Sequence, residues 1–420
     1  MVYQYISFTS IGLIETLDLN TAELGQFVKL KSTSISNPKM LISLGGPSQS
    51  SKAMSKLFVS TSQRAITAAA VLKFLNLYGL DGVDLHWQWP VLKGGYPDDR
   101  TAFPKLLNEM QKVLKPEGKL LTISVAPTKD YFASSYDVTA INPYVDYINV
   151  MAFDLRAYWN AQTGHSAAVY RAVDETGRVE RELNMDFIIA GWIATGISPA
   201  KIILGVSANG HSFKLADSTV NALRSRTVGP GPAQKYTLEK GTLSYLEACE
   251  LAREGGWTTV WDTRALAYYT YKGTTWLSYE SQASLEAKLN LARENSIGGV
   301  GMWNVEGDDV RNVCGGGKYT LLSYIAEALI SGSDSTVTPI APTVTTTTTT
   351  AKTTTTTQAT TGYPEYCPSS GFVRDPYDCQ SFYRCTPGSK FVATGKTTCG
   401  VGTLFDARYN VCNHAASVTC

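Results

Sequence analysis

Three polar residues at alternate positions, Asp84, His86 and Gln88 in the run LDGVDLHWQWP (80–90), carry the strongest chemical signal in the chain. A strand turns every second side chain to one face, so the three are expected to project together. Carboxylates in such a row could relay a proton to a substrate. Only the first is a carboxylate. Gln88 is an amide with no acidic proton at any working pH, and His86 offers an imidazole. An Asp–His pair with no nucleophile beside it does nothing further, and no additional ligand stands at a metal-binding spacing. Neither a metal nor a cofactor is therefore expected, and Asp84 reads as a buried structural carboxylate with His86 as its partner. Trp87 and Trp89 alternate with these residues and should pack against helices or the strand end.

The segments that must position this strand alternate between short apolar runs and helical spacing. KMLISLGG (39–46) reads as a strand, SQRAITAAAVLKFLNLYG (62–79) as a helix, and LDGVDLHW as a strand again. The rhythm continues through the FPKLLNEMQKVLK helix, the strands LLTISVAP and VDYINVMAF, then MDFIIAGWIATG, KIILGVSA, ASLEAKLNLAREN and IGGVGMWNV. Repeated β–α units predict a parallel sheet closed into a barrel, with the chemistry where the strands end. A stretch over 212–279 breaks the rhythm with several β-like runs. It is expected to be an inserted subdomain lining one side of a cleft.

Composition narrows the partners. The 420 residues are 44% hydrophobic, enough for one large domain and something smaller. A formal net charge of +1 without a basic run gives no support to nucleic-acid or anionic-membrane binding. No apolar run is long enough to span a bilayer. Twenty-three tyrosines and eight tryptophans suit a neutral, ring-shaped ligand. Residues 331–362 are nearly all Thr, Ser, Pro, Ala and Gly and cannot bury enough apolar surface to fold. They are expected to form an extended stalk. Cys249 and Cys314 precede it, whereas Cys367, Cys379, Cys385, Cys399, Cys412 and Cys420 crowd the tail, a density that implies disulfides and an oxidising, extracellular compartment. The start, MVYQYISFTSIGLI, lacks the features of a secretory signal.

These motifs resemble glycoside hydrolase family 18, the chitinases and chitinase-like proteins, over residues 3–330. DGVDLHWQWP is similar to the family's D-G-x-D-x-D-W-E-Y-P strand and MAFD to its M-x-Y-D strand. GPGPAQKYTLEKGTLSYLEAC resembles its inserted α+β subdomain, and GGVGMWNVEGDDVRNVC its last barrel strand. The resemblance implies a TIM (β/α)8-type barrel over 1–330 with the insertion at 212–279. Because YQYISF resembles the family's second strand, the first strand and its helix are expected to be missing.

In that family a glutamate protonates the glycosidic oxygen, the substrate's own acetamido group attacks the anomeric carbon, and an aspartate orients that group. The resemblance places Gln88 at the acid and His86 at the aspartate, so catalysis is expected to be lost. Phe153, Pro47 and NGH (209–211) also depart from the family's usual Tyr, Trp and Tyr-Gly-Arg. Binding can outlast catalysis: the resemblance makes Trp303 the floor of the central subsite, Trp159 a flanking platform, and Asp154 with Met151 the acetamido contacts. Gln88 could donate a hydrogen bond to the sugar. The resemblance also pairs Cys249 with Cys314.

Residues 363–420 resemble the peritrophin-A chitin-binding module, carbohydrate-binding module family 14, a small disulfide-rich β module. Six cysteines allow many pairings, and the resemblance alone selects Cys367–Cys385, Cys379–Cys420 and Cys399–Cys412. Tyr383, Phe391 and Tyr409 are expected to present rings to chitin and Phe405 to be buried. The whole reads as a secreted, catalytically inactive lectin for chitin or its oligomers, from an invertebrate. Its rivals are a weakly active chitinase using Asp154 as the acid, and a growth-factor-like signalling member of the family.

Overall fold

A computed structural model describes residues 1–330 apart from 17, 18, 35, 59, 173, 174 and 176, and in the tail residues 371–374, 381–385, 396–399, 403–406 and 411–414. The chain divides into two compact units, residues 1–342 and 343–420. Among the described residues no helix is long and apolar enough to cross a membrane.

The first unit is built on seven strands: β1 (Val2–Ile6), β2 (Leu41–Gly45), β3 (Gly82–His86), β4 (Leu120–Val125), β5 (Tyr147–Val150), β6 (Ile202–Ser207) and β13 (Gly299–Trp303). They pair in that order, every neighbour parallel, and among the described residues β1 and β13 do not pair with each other. The alternation read from the sequence is present. Ile42, Leu44, Val83, Leu85, Leu121, Ile123, Ile148 and Val150 are buried in the main core. The positions between them carry Ser43, Asp84, Thr122, Ser124 and Asn149, which face one another.

Local signals set the helix ends. The helix expected over 62–79 spans Thr61–Tyr78: Ser60 accepts from the Gln63 amide at its start, and Gly79 at φ 69° ends it in the left-handed conformation glycine adopts freely. The FPKLLNEMQKVLK helix starts earlier than its apolar spacing suggests, running Asp99–Leu114.

The insertion is a second sheet, antiparallel, and begins at Asn209. Its strands are β7 (Asn209–Leu215), β8 (Thr227–Pro230), β9 (Thr242–Ser244), β10 (Thr258–Asp262), β11 (Ala267–Lys272) and β12 (Thr275–Tyr279). The order is β10-β11-β12-β7-β8, with β9 also on β7. Phe213, Leu215, Tyr269 and Trp276 form its own small core. A Ser244–Glu247 capping box starts its helix, Tyr245–Arg253, and a Cys249–Cys314 disulfide joins that helix to the segment after β13.

In the tail, β14 (Gly371–Arg374), β15 (Ser381–Cys385) and β16 (Lys396–Thr398) form one antiparallel sheet, and β17 (Thr403–Asp406) pairs with β18 (Val411–His414). Cys399 is buried and disulfide-bonded. Phe391, Tyr409, Cys367, Cys379 and Cys420 lie outside the described residues, as do the side chains of Tyr383, Phe405, Cys385 and Cys412 and the segment 331–362.

Candidate functional site

Two groups of candidate residues gather at the C-terminal ends of the parallel strands. The first surrounds the end of β3. Asp84 is fully buried and its carboxylate accepts from Ser43 Oγ at 2.9 Å, Thr122 Oγ1 at 2.8 Å, Ser124 Oγ at 2.8 Å and Asn149 Nδ2 at 2.9 Å. These donors occupy the inward positions of β2, β4 and β5. The expected Asp84–His86 hydrogen bond is not formed, because hydroxyls and an amide already surround the carboxylate. His86 instead meets Gln88, with Nε2 of each side chain 2.8 Å apart. Its Nδ1 is buried with no hydrogen-bond partner. Burial holds the imidazole below its usual pKa, against a smaller upward pull from the Asp84 charge. The larger effect, burial, favours the neutral ring.

Aromatic rings enclose this pair. Tyr5, from β1, lies edge-on to His86 at 5.1 Å and stacks on Trp303 at 5.5 Å with the planes 29° apart. Burial and then the Asp84 charge push the Tyr5 phenol well above its ordinary pKa, so it stays a neutral donor. Sequence reasoning missed Tyr5, which is nearly three hundred residues from Trp303. The pair Gly45–Gly46 allows this crowding. Gly45 has φ +106° and a Cβ there would lie 2.4 Å from the His86 carbonyl oxygen; Gly46 has φ +82° and its Cβ would meet the Tyr5 ring at 2.6 Å.

The flanking tryptophans divide. Trp87 packs outward as expected, buried between Phe58 and Phe103, with Nε1 donating to Ser51 Oγ at 2.8 Å. Trp89 also packs on a helix as expected, edge-on to Tyr131 of Lys129–Ser135 at 5.7 Å, but its ring lies 6.3 Å from His86 as well, a neighbour that alternation did not give it. Strand alternation stops at His86, where β3 ends, so it no longer governs Trp89.

The second group follows β5. Asp154 has φ 54°, a left-handed conformation uncommon outside glycine, and its side chain is 45% exposed. Its Oδ1 is 2.8 Å from His211 Nε2 on β7. Trp159 is 59% exposed and meets His211 edge-on at 5.3 Å. Met151 is half-buried, its amide donating to the Val125 carbonyl. Asp154 and Trp159 therefore share a neighbour, His211, that was singled out only as a departure in the NGH motif. Among the described residues the two groups share no hydrogen bond or ring contact, and no three His, Cys, Asp or Glu side chains gather as a metal would require.

This arrangement presents rings and hydrogen-bonding groups at the strand ends, with an amide and an imidazole where a proton donor could stand. Comparison with known proteins agrees with the barrel and its tail. Residues 1–308 match "Glycosyl hydrolases family 18" and residues 367–420 match "Chitin binding Peritrophin-A domain". Probable chitinase 10 of Drosophila melanogaster is 31% identical over 70% of the chain and 13% of its own length, so the chain spans only a small part of that relative. Mouse chitotriosidase-1 is 27% identical over 92% of the chain and 83% of its own length. The Group IV chitinase of Ostrinia furnacalis superposes with a TM-score of 0.75 at 31% identity, covering 78% of this chain and 91% of that one. Human YKL-39, described as a pseudo-chitinase with retained chitooligosaccharide binding properties, superposes at 0.72 with 25% identity over 78% and 90%. The chain belongs to glycosyl hydrolase family 18 and carries a C-terminal peritrophin-A chitin-binding domain.

Proposed function

We propose that this chain is a secreted, chitinase-like lectin that binds chitin or N-acetylglucosamine oligomers without hydrolysing them. The observation that carries the reading is the Gln88–His86 contact at the end of β3. The position matching the family's acid has no dissociable proton, and its neighbour is a neutral imidazole in place of a carboxylate. Loss of general acid catalysis alone costs about 10²–10⁴-fold in rate, and loss of the charge opposite the acetamido-derived intermediate acts on the same step. Asp154, the alternative acid, is occupied by His211.

Several features support retained binding. Trp303 and Tyr5 offer a stacked aromatic floor, Trp159 an exposed platform, and Gln88, Met151 and Asp154 match, by resemblance, positions that contact sugar in the family. Human YKL-39 combines this fold with the binding described for it. In the tail, Tyr383, Phe391 and Tyr409 are the proposed chitin contacts, held by Cys367–Cys385, Cys379–Cys420 and Cys399–Cys412. The Cys249–Cys314 disulfide supports an extracellular location.

The test is hydrolysis of soluble chitin oligomers by the chain and by the double variant His86→Asp, Gln88→Glu. The parent is expected to be inert and the double variant to turn over, which would leave only the proton chemistry lost. Turnover by the parent at a rate matching active relatives would overturn the reading.

A further inference from the structure

The loop that leaves β3 wraps an uncommon backbone around one buried carboxylate. Val91, Lys93 and Gly94 have φ of 70°, 49° and 89°. A β-branched residue in the left-handed region is a steric outlier, and such outliers persist only where the surroundings hold them. Asp99 supplies that hold. It is 1% exposed, and its Oδ2 accepts from the Val91 amide at 2.9 Å, the Tyr96 amide at 2.8 Å and Ser55 Oγ at 2.8 Å. Asp99 is also the first residue of its helix, Asp99–Leu114, where a negative charge is favoured. The loop closes tightly over the carboxylate: a Cβ at Gly95 would lie 2.5 Å from Asp99 Oδ2.

The same network reaches Trp89. Ser51 and Ser55 lie one turn apart on the helix Ser51–Phe58, with Ser55 Oγ 3.0 Å from the Ser51 carbonyl oxygen. Ser51 Oγ donates to the Trp89 carbonyl at 2.7 Å, and the Leu92 amide donates to that carbonyl at 3.2 Å. Lys93 Nζ lies 6.0 Å from the Trp89 ring centroid. Trp89 is 8% exposed, with its ring beside His86, and it directly follows Gln88 in the chain. A fixed Trp89 therefore limits where the Gln88 side chain can point.

We propose that Asp99 is a positioning residue for the cleft. It holds the strained loop 91–96 closed and, through Ser55, Ser51 and the loop itself, sets Trp89 and Gln88 against His86. Buried by the loop, Asp99 acts through these groups and not on the sugar. A site arranged before its ligand arrives loses less freedom on binding, so a loosened loop weakens binding. The proposal rests on the reading of the cleft as a sugar site, and its test separates the two.

All eight tryptophans lie at or before Trp303, so fluorotryptophan resonances of the full chain report the barrel and not the tail. Trp89 is assigned by its loss in Trp89→Phe. Trp192 in the main core and Trp276 in the insertion's core serve as controls for the fold. In Asp99→Ala the Trp89 resonance is expected to move in the absence of sugar while both controls stay. Affinity for a soluble N-acetylglucosamine oligomer, followed by the same resonances, is expected to fall about ten-fold. Asp99→Asn, whose carbonyl oxygen still accepts, is expected to return the resonance and most of the affinity. If Asp99→Ala does not fold, Ser51→Ala carries the test: it frees the Trp89 carbonyl in a helix that favours alanine, with the same shift and about a three-fold loss expected. An unmoved Trp89 resonance in the folded variant overturns the proposal. So does a moved resonance with unchanged affinity where the parent binds. A parent that binds no oligomer overturns the lectin reading, and the sugar-free shift of Trp89 then decides the positioning alone.

Discussion

At the scale of single residues, the row Asp84, His86, Gln88 shows how much of a site can be read from spacing and where that stops. Alternation along β3 correctly places Asp84 and His86 on the inward face. It does not give their partners, which come from β2, β4 and β5, up to sixty-five residues away for Asn149. Asp84 has four donors, leaving His86 to Gln88. Because burial lowers the His86 pKa below the usual value near 6.5, the unfolded chain takes up this proton at a higher pH than the folded one. Stability contributed by the neutral ring is complete above about pH 6.5 and is lost as pH falls from there through the folded value. Thermal melts across this range should show the melting temperature falling with acidity. His86→Gln should flatten that slope; an unchanged slope would assign it to other groups.

At the scale of elements, the loops leaving the strands decide which rings meet. The order of strands and helices, and the break in rhythm that marks the insertion, were legible because burial on both sides gives apolar runs and helix faces give a different period. The stacking of Tyr5 on Trp303 was not, because it joins β1 to β13 and depends on how the sheet curves. The approach of Trp89 to His86 escaped for the opposite reason: Trp89 lies just past a strand end, where the twofold alternation no longer applies. Gly46 illustrates how a short loop shapes the cleft. Gly46→Ala would place a methyl 2.6 Å from the Tyr5 ring at a backbone angle disfavoured for alanine. The expected result is a loss of about 1–3 kcal/mol in stability, with Tyr5 displaced from Trp303. Chemical denaturation together with oligomer binding would detect both, and a fully stable variant would mean the loop can move aside at little cost.

At the scale of the whole molecule, the proposed function gives two units related ligands, and such a pair would act on a polymer differently from either alone. If both the barrel and the tail hold the same chitin surface, the second contact is intramolecular and retention rises about 10²–10⁴-fold over either unit. Removal of residues 331–420 should therefore release the protein from insoluble chitin while leaving the barrel's affinity for soluble oligomers unchanged. A wash-off assay beside an oligomer titration separates these effects; equal retention would leave the tail without a role on that surface. The tail's six cysteines made a stapled module legible from composition, since a core that small needs covalent support. Their pairing came only through resemblance, because spacing alone is compatible with many connectivities.

The Cys249–Cys314 bond spans sixty-five positions of the chain and encloses β10, β11, β12 and β13, including Trp303. A protease cutting once within that span would not free a fragment: both pieces remain tied through sulfur. In surroundings rich in digestive enzymes, a nicked molecule could thus keep its aromatic floor attached to the rest of the cleft until a reductant separates them.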